Sequence, residues 1–255
     1  MSTIIFPSPI FGPVHSRRLG VSLGVNLMPD DGKVCTFDCV YCECGFNADF
    51  RPKHKRPTSD EVRDALAVVL KQRHENHEPL DVITFAGNGE PTAHPDFKRI
   101  IEDTIALRDR YFPEAKVSVL SNATFLHKED VRKALMMVDN NIQKLDTVDM
   151  DYIRKVDRPL QPSYDVKEVI KHMKMFDGKV IVQTMFLGGN GVDNTSEHYL
   201  APWLEALKDI KPMQVMIYTI DRETPDKSLT KASHEVLDAI KARVEAIGIE
   251  CTASY

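Results

Sequence analysis

Short apolar runs alternate with amphipathic stretches along almost the whole 255-residue chain, and this alternation narrows the choice of fold more than any other feature. The strand-like runs are GVSLGVNLM (20–28), DVITFA (81–86), KVSVLS (116–121), NIQKLD (141–146), KVIVQTMF (179–186) and MQVMIYTI (213–220), with a shorter run, IGIECTA, at 247–253. Between them, residues 59–75, 95–111, 127–138, 165–176, 196–210 and 233–248 repeat their apolar positions at helical spacing. Ser59, Asp165, Ser196 and Ser233 stand where N-caps belong, and Gly248 stands where a helix would end. Strand–helix alternation of this kind predicts a parallel sheet covered by helices. About six repeats suit either a doubly wound sheet or a partial (β/α) barrel, and both carry their chemistry at the C-terminal ends of the strands. No Gly/Ser tract, low-complexity block or repeat marks a seam, so residues 1–255 are expected to form one domain. In it, segment 1–20 leads into the first strand and a loop at 30–46 follows that strand.

The positional rule is testable on the residues themselves. A cysteine-rich loop follows the first run, Gly87-Asn88-Gly89-Glu90 follows the second, and Ser121-Asn122 ends the third. Lys144 and Asp146 end the fourth, while Gln183 and Tyr218 interrupt two runs that are otherwise apolar. Four of the five cysteines, Cys35, Cys39, Cys42 and Cys44, crowd into ten residues. A disulfide framework would spread them to close loops, so crowding favours metal ligation in a reducing compartment. Cys35, Cys39 and Cys42 have the spacing C-x3-C-x2-C, with Tyr41 just before the last. One short loop of that pattern can wrap three thiolates around one side of a four-iron cubane and leave one iron open. A zinc site completed by Cys44 or a histidine is the plainer alternative, although the paired knuckles usual for structural zinc are missing. A dithiol at Cys39 and Cys42 would leave Cys35 unexplained. Cys251, far away, reads as apolar packing in a final strand.

A net charge of −5 provides no general attraction to nucleic acid or to anionic membranes. No apolar run reaches the roughly 18 residues of a membrane span. MSTIIFPSPIFGP lacks the basic start and long apolar core of a signal peptide, so a cytoplasmic location is expected. Two local basic groups remain: His15, Arg17 and Arg18 before the first run, and RPKHKRP at 51–57. They are either solvated loop charge or an anion-binding rim for phosphate, carboxylate or nucleic acid. GGNGVDNT (188–195) is a Gly/Asn loop that flexes over a substrate or merely turns the chain.

CTFDCVYC (35–42) resembles the cluster-binding motif of the radical S-adenosylmethionine superfamily. The likeness extends through FGPVHSRRLGVSLGVNLMP (11–29), AGNGEPTAHP (86–95), LDTVD (145–149), DRP (157–159) and IYTIDRETP (217–225), which are similar to the branch of wyosine-synthetase-like iron–sulfur oxidoreductases. The resemblance implies an α/β fold, the partial (β/α)6 TIM-like barrel of that superfamily. It implies that Cys35, Cys39 and Cys42 hold a [4Fe–4S] cluster as its metal ligands and catalytic cysteines, with the amino and carboxylate groups of S-adenosylmethionine on the fourth iron. Tyr41 would lie near the adenine. Gly87, Asn88, Gly89 and Glu90 would form the turn that receives the methionine ammonium, with Asn88 in place of the family's first glycine. A dinucleotide loop is a poor rival there, because Thr92 occupies its third glycine position and Glu90 would face a pyrophosphate. Asn122, Lys144, Asp146, Gln183 and Tyr218 would serve the carboxylate, ribose and adenine, with Asp146 on the ribose. The plainer account of each is a paired polar residue at a strand end.

The implied activity is reductive cleavage of S-adenosylmethionine to a 5′-deoxyadenosyl radical that takes hydrogen from an unidentified, anionic or neutral substrate. The implied electron donor is a flavodoxin or ferredoxin. A tRNA- or protein-modifying radical enzyme is the alternative within the class. A non-catalytic zinc or iron–sulfur redox or binding module is the alternative outside it. Residues 1–34 contain no cysteine, which argues against the second cluster of the tRNA-modifying wyosine enzymes.

Overall fold

Each apolar run becomes a strand because its side chains are wanted on both faces, helices outside and a lined interior within. The structure, a computed structural model, describes residues 4–16, 20–189 and 191–255. In chain order it runs β1 (Ile10–Ser16), β2 (Gly20–Val25), α1 (Ser59–Glu75), β3 (Val82–Phe85), α2 (Phe97–Tyr111), β4 (Lys116–Ser121), α3 (Glu129–Leu135) and β5 (Asn140–Lys144). There follow α4 (Met150–Val156), α5 (Val166–Lys174), β6 (Ile181–Met185), β7 (Leu187–Gly189), β8 (Val192–Asp193), α6 (Glu197–Ile210), β9 (Gln214–Tyr218), β10 (Leu229–Lys231), α7 (His234–Ala246) and β11 (Cys251–Ser254).

Among the described residues the main sheet has eight strands in the order β1-β2-β3-β4-β5-β6-β9-β11. From β2 to β11 every pairing is parallel, with Val25 opposite Phe85, Phe85 opposite Val119, Lys144 opposite Gln183, and Met185 opposite Tyr218. Ser22 and Gly24 from one edge, Thr84, Leu120, Ile142, Gln183 and Met216 from the middle, and Ser254 from the far edge line one cavity. A sheet whose two edges share a cavity is curled, so the architecture is the partial barrel and not the flat doubly wound sheet. Leu120, Ile142, Ile181 and Met216 form an apolar cluster inside that curl.

Helices seal the outside. In α1, Val62, Leu66 and Leu70 are buried at helical spacing, each contributing about 1.5–3 kcal/mol relative to exposure. Trp203 of α6 is buried, meets Phe186 edge-on at 5.4 Å, and donates its indole N–H to the Leu145 carbonyl at 3.0 Å. The N-cap of α1 is Thr58 and not Ser59. Thr58 exchanges side-chain and backbone bonds with Glu61 in a capping box, which Ser59, one residue too late, cannot make. Asp165 and Ser233 cap α5 and α7 as expected, while Ser196 makes no capping bond.

Segment 1–20 is more than a lead-in. Its β1 lies antiparallel to β2, Phe11 opposite Gly24 and His15 opposite Val21, with an irregularity between Phe11 and Val14. Helix α4 was not expected either. The Gly/Asn segment 188–195 is not simply a loop: β7 and β8 pair antiparallel, and β10 joins them in a small separate sheet. Arg17, Arg18 and Asn190 lie outside the described residues. No helix among the described residues is long and apolar enough to cross a membrane.

Candidate active site

The loop at 30–46 is seated by main-chain atoms. Val34 and Gly89 form a parallel bridge, in which Val34 N donates to Asn88 O at 2.9 Å and Glu90 N to Val34 O at 3.3 Å. Gly89 has φ +151°, and a Cβ there would stand 1.8 Å from the Val34 carbonyl oxygen. Only glycine permits that approach. On the other side Asp38 N donates to Asp157 O (3.1 Å), Val40 N to Val156 O (2.9 Å) and Leu160 N to Thr36 O (2.8 Å). The unexpected helix α4 thus has a purpose, since its C-terminal end and the residues after it carry the loop.

Cys39 is buried, and Cys35 and Cys42 are half-buried. Burial pushes the Cys35 thiol up to about 12 and raises Cys39 as well. Cys42 goes the other way, down to about 6, because Cys44 hydrogen-bonds its sulfur and Lys33 adds a positive charge and a further bond, which together outweigh burial. Asn122 Nδ2 lies 3.6 Å from Cys35 Sγ and 2.8 Å from Thr36 Oγ1. Among the described residues, the trio of Asp30, Asp31 and His54 is the one whose ligand atoms converge within 4.8 Å. Cys35, Cys39 and Cys42 do not converge within that distance, and a donor set of three thiols on one loop suits a four-iron cluster that leaves one iron open.

Glu90 is 2% exposed. Its Oε2 accepts from Asn122 N at 2.6 Å and its Oε1 from Thr92 N at 3.0 Å, so it ties the turn after β3 to the turn after β4. Burial raises its pKa, against those hydrogen bonds. Asn88 belongs to the same turn as Glu90, and its side chain points away from the cysteine loop, toward the N-terminal segment. Asn88 is fully buried, its amide donates to Phe6 O and Pro29 O at 2.8 Å each, and its carbonyl accepts from Phe6 N at 2.8 Å. It braces the N-terminal segment, which explains why a side chain replaces a glycine.

Lys144, Asp146 and Tyr41 come together with a residue not singled out in the sequence, Asp157. Lys144 Nζ pairs with Asp157 Oδ1 at 2.8 Å and closely with Asp146 Oδ2, and both Lys144 and Asp146 hydrogen-bond the Tyr41 hydroxyl. Asp146 Oδ1 accepts from Met185 N at 2.9 Å. Burial opposes the charge of Lys144, but the two carboxylates hold its pKa well above the usual range. Burial, and then Asp146 beside it, lift Asp157 to about 7, against the pull of Lys144. The DRP motif was the available signal for Asp157.

The cavity inside the barrel measures about 290 Å³ and reaches the cysteine loop at Tyr41 and Glu43 and the turn after β3 at Gly87. Gln183 and Tyr218 line it; so does His15. Arg222 and Glu43, 2.6 Å apart, close part of its rim. In the basic segment 51–57, Arg51, Lys53, His54 and Lys55 are exposed, and Arg56 bonds the Ala93 carbonyl at 3.0 Å. That segment does not line the cavity. Lys33, also missed by sequence reasoning, is buried beneath the cysteine loop.

Comparison with known proteins agrees with this geometry. Residues 31–199 match the family model described as "Radical SAM superfamily". The chain is 31% identical over 237 residues to a UPF0026 protein of Methanocaldococcus jannaschii, covering 91% of this chain and 70% of that protein. It is 30% identical over 240 residues to a protein of Brachyspira hyodysenteriae named GTPase Obg, covering 93% of this chain. It spans only 33% of the length of that relative. A radical SAM methyltransferase from Sphaerobacter thermophilus has the same fold, with a TM-score of 0.67 at 17% identity over 92% of this chain and 66% of the other.

Proposed function

The chain belongs to the radical SAM superfamily, and from that premise we propose that Cys35, Cys39 and Cys42 hold its [4Fe–4S] cluster and that the cavity receives S-adenosylmethionine and the substrate. A cluster held by these cysteines would supply the electron for reductive cleavage of S-adenosylmethionine, and with it the radical chemistry at the substrate. The observation that carries this reading is the main-chain seat of the three-cysteine loop against Gly89, at the C-terminal end of the barrel and open to its interior.

The chain's own residues then divide the labour. Gly89 lets the loop come close, and Glu90 fixes the two turns that flank the methionine end of the ligand. Tyr41, Asp146, Gln183 and Tyr218 serve the adenosine end, with Lys144 and Asp157 holding Tyr41 and Asp146 in place. Asn122 donates to Cys35 and so steadies a cluster ligand. The apolar wall of Phe6, Phe11, Leu120, Ile142 and Met216 keeps the interior of the cavity dry around the reacting groups.

Residues 1–255 act in this reading as one core domain, with an external flavodoxin- or ferredoxin-type donor as electron source. Arg222 on the rim, paired with Glu43 at 2.6 Å, is the cation that an anionic substrate would engage in place of that carboxylate. A tRNA or protein substrate is favoured by no contact in the cavity. The test is anaerobic reconstitution with iron and sulfide, followed by reduction with S-adenosylmethionine. The wild type should turn brown, bind about four irons per chain and release 5′-deoxyadenosine, and Cys39→Ala should do none of these. Undiminished cleavage by Cys39→Ala would defeat the assignment.

A further inference from the structure

Lys33 is 3% exposed, and its side chain is 1% exposed. A buried ammonium is expensive unless its surroundings answer its charge. Its shortest bond is to a neutral acceptor, the Gly45 carbonyl, at 2.6 Å. Its carboxylate partner Asp38 is 3.3 Å away, and the same Asp38 oxygen also accepts from Asn47 N at 2.8 Å and Asn47 Nδ2 at 3.1 Å. One shared carboxylate is a thin counterweight for a buried cation. As thiolates, Cys42, Cys35 and Cys39 join Asp38 in favouring its charged form against burial. Lys33 stands just before the cysteine run and reaches Gly45 just after it, so it clasps the loop at both ends.

We propose that Lys33 is a positioning residue for the cluster: its buried ammonium clasps the cysteine loop and offsets the negative charge of the three thiolates and the cluster they hold. The inference rests on the reading that those cysteines carry a [4Fe–4S] centre. Such a centre gains one negative charge on reduction. A fixed positive charge beside its ligands, in a medium of low dielectric, favours the reduced form. Lys33 therefore raises the potential at which the electron enters, which eases delivery from a biological donor. The Asn122 amide at Cys35 acts in the same direction through a neutral hydrogen bond.

The experiment is an anaerobic redox titration of the reconstituted protein, followed by the electron paramagnetic resonance signal of the reduced cluster without substrate. Wild type, Lys33→Met and Lys33→Arg are compared, with iron per chain measured for each. At a fixed ambient potential, Lys33→Met should show a reduced-to-oxidised ratio at least tenfold lower than wild type, about 59 mV more negative for a one-electron couple. Lys33→Arg, which keeps the charge, should stay near wild type. If Lys33→Met cannot retain iron while Lys33→Arg can, the charge is needed for assembly, and the proposal stands. Equal potentials in Lys33→Met and wild type overturn it, as do equal shifts in both variants or loss of iron in both. In those cases Lys33 is packing and not charge. A wild type that binds no cluster overturns the superfamily assignment of the cysteines instead, so the two failures are distinguishable.

Discussion

Replacing Gly89 with alanine should unseat the cysteine loop. The added Cβ would lie 1.8 Å from Val34 O and 2.5 Å from Val34 C, both main-chain atoms, far inside the roughly 3.5–4.0 Å of a normal contact. No rotamer change relieves it, so the strand must part from the turn. That breaks the bridge bonds of Val34 N to Asn88 O (2.9 Å) and Glu90 N to Val34 O (3.3 Å). Two hydrogen bonds at about 0.5–1.5 kcal/mol each, with about 1–3 kcal/mol of backbone strain at positive φ, give a loss of roughly 2–6 kcal/mol. In a chain of this size that lowers the melting temperature by about 5–20 °C. Gly248→Ala is the matched control, since Gly248 also has positive φ (+83°) but its added Cβ would meet nothing within 4 Å. Thermal melts of both variants and of wild type, with iron per chain after reconstitution, decide the matter. Gly89→Ala should melt well below Gly248→Ala and bind less iron. If the two melt together and load iron equally, the main-chain seat is not what holds the loop.

Asp157 makes stability depend on pH. Free aspartate ionises near 3.8, whereas burial and Asp146 hold the Asp157 proton to about 7 in the folded chain. The stability this contributes is whole below about pH 4 and is lost as pH climbs through about 7. Melting curves across that window should fall more steeply for wild type than for Asp157→Asn, and parallel curves would contradict the argument. Asn88→Ala strips partners from Phe6 N and Pro29 O, while Phe6 O keeps the Asn26 amide, at about 1–3 kcal/mol for each group left buried and unpaired. Cleavage of the first dozen residues by chymotrypsin should then quicken, and an unchanged rate would show that Asn88 is no brace.

The parallel strands were legible because an apolar run of six to eight residues is what a strand covered on both faces requires. The cysteines were legible because ligand spacing is a local property. β1 was not, because its Gly12 and Pro13 and its irregular register hide the period-two pattern, and an edge strand tolerates them. α4 is seven residues long, too short for periodicity to declare itself. Lys33 and Asp157 look like solvated charges in a string of letters; Asp157 is buried against Tyr41, 116 residues away, and Lys33 by the irregular loop that folds over it as far as Gly45. The bracing role of the Asn88 side chain was hidden as well, since its partners Phe6 and Pro29 are far away in the sequence.

Glu43 stands between Cys42 and Cys44, accepts a main-chain bond from Ile4 at 3.0 Å, and grips Arg222 on the rim. The rim of the cavity and the cysteine loop therefore meet in one residue, a peptide unit from Cys42. A molecule that draws Arg222 aside as it enters also frees a carboxylate inside the cysteine run.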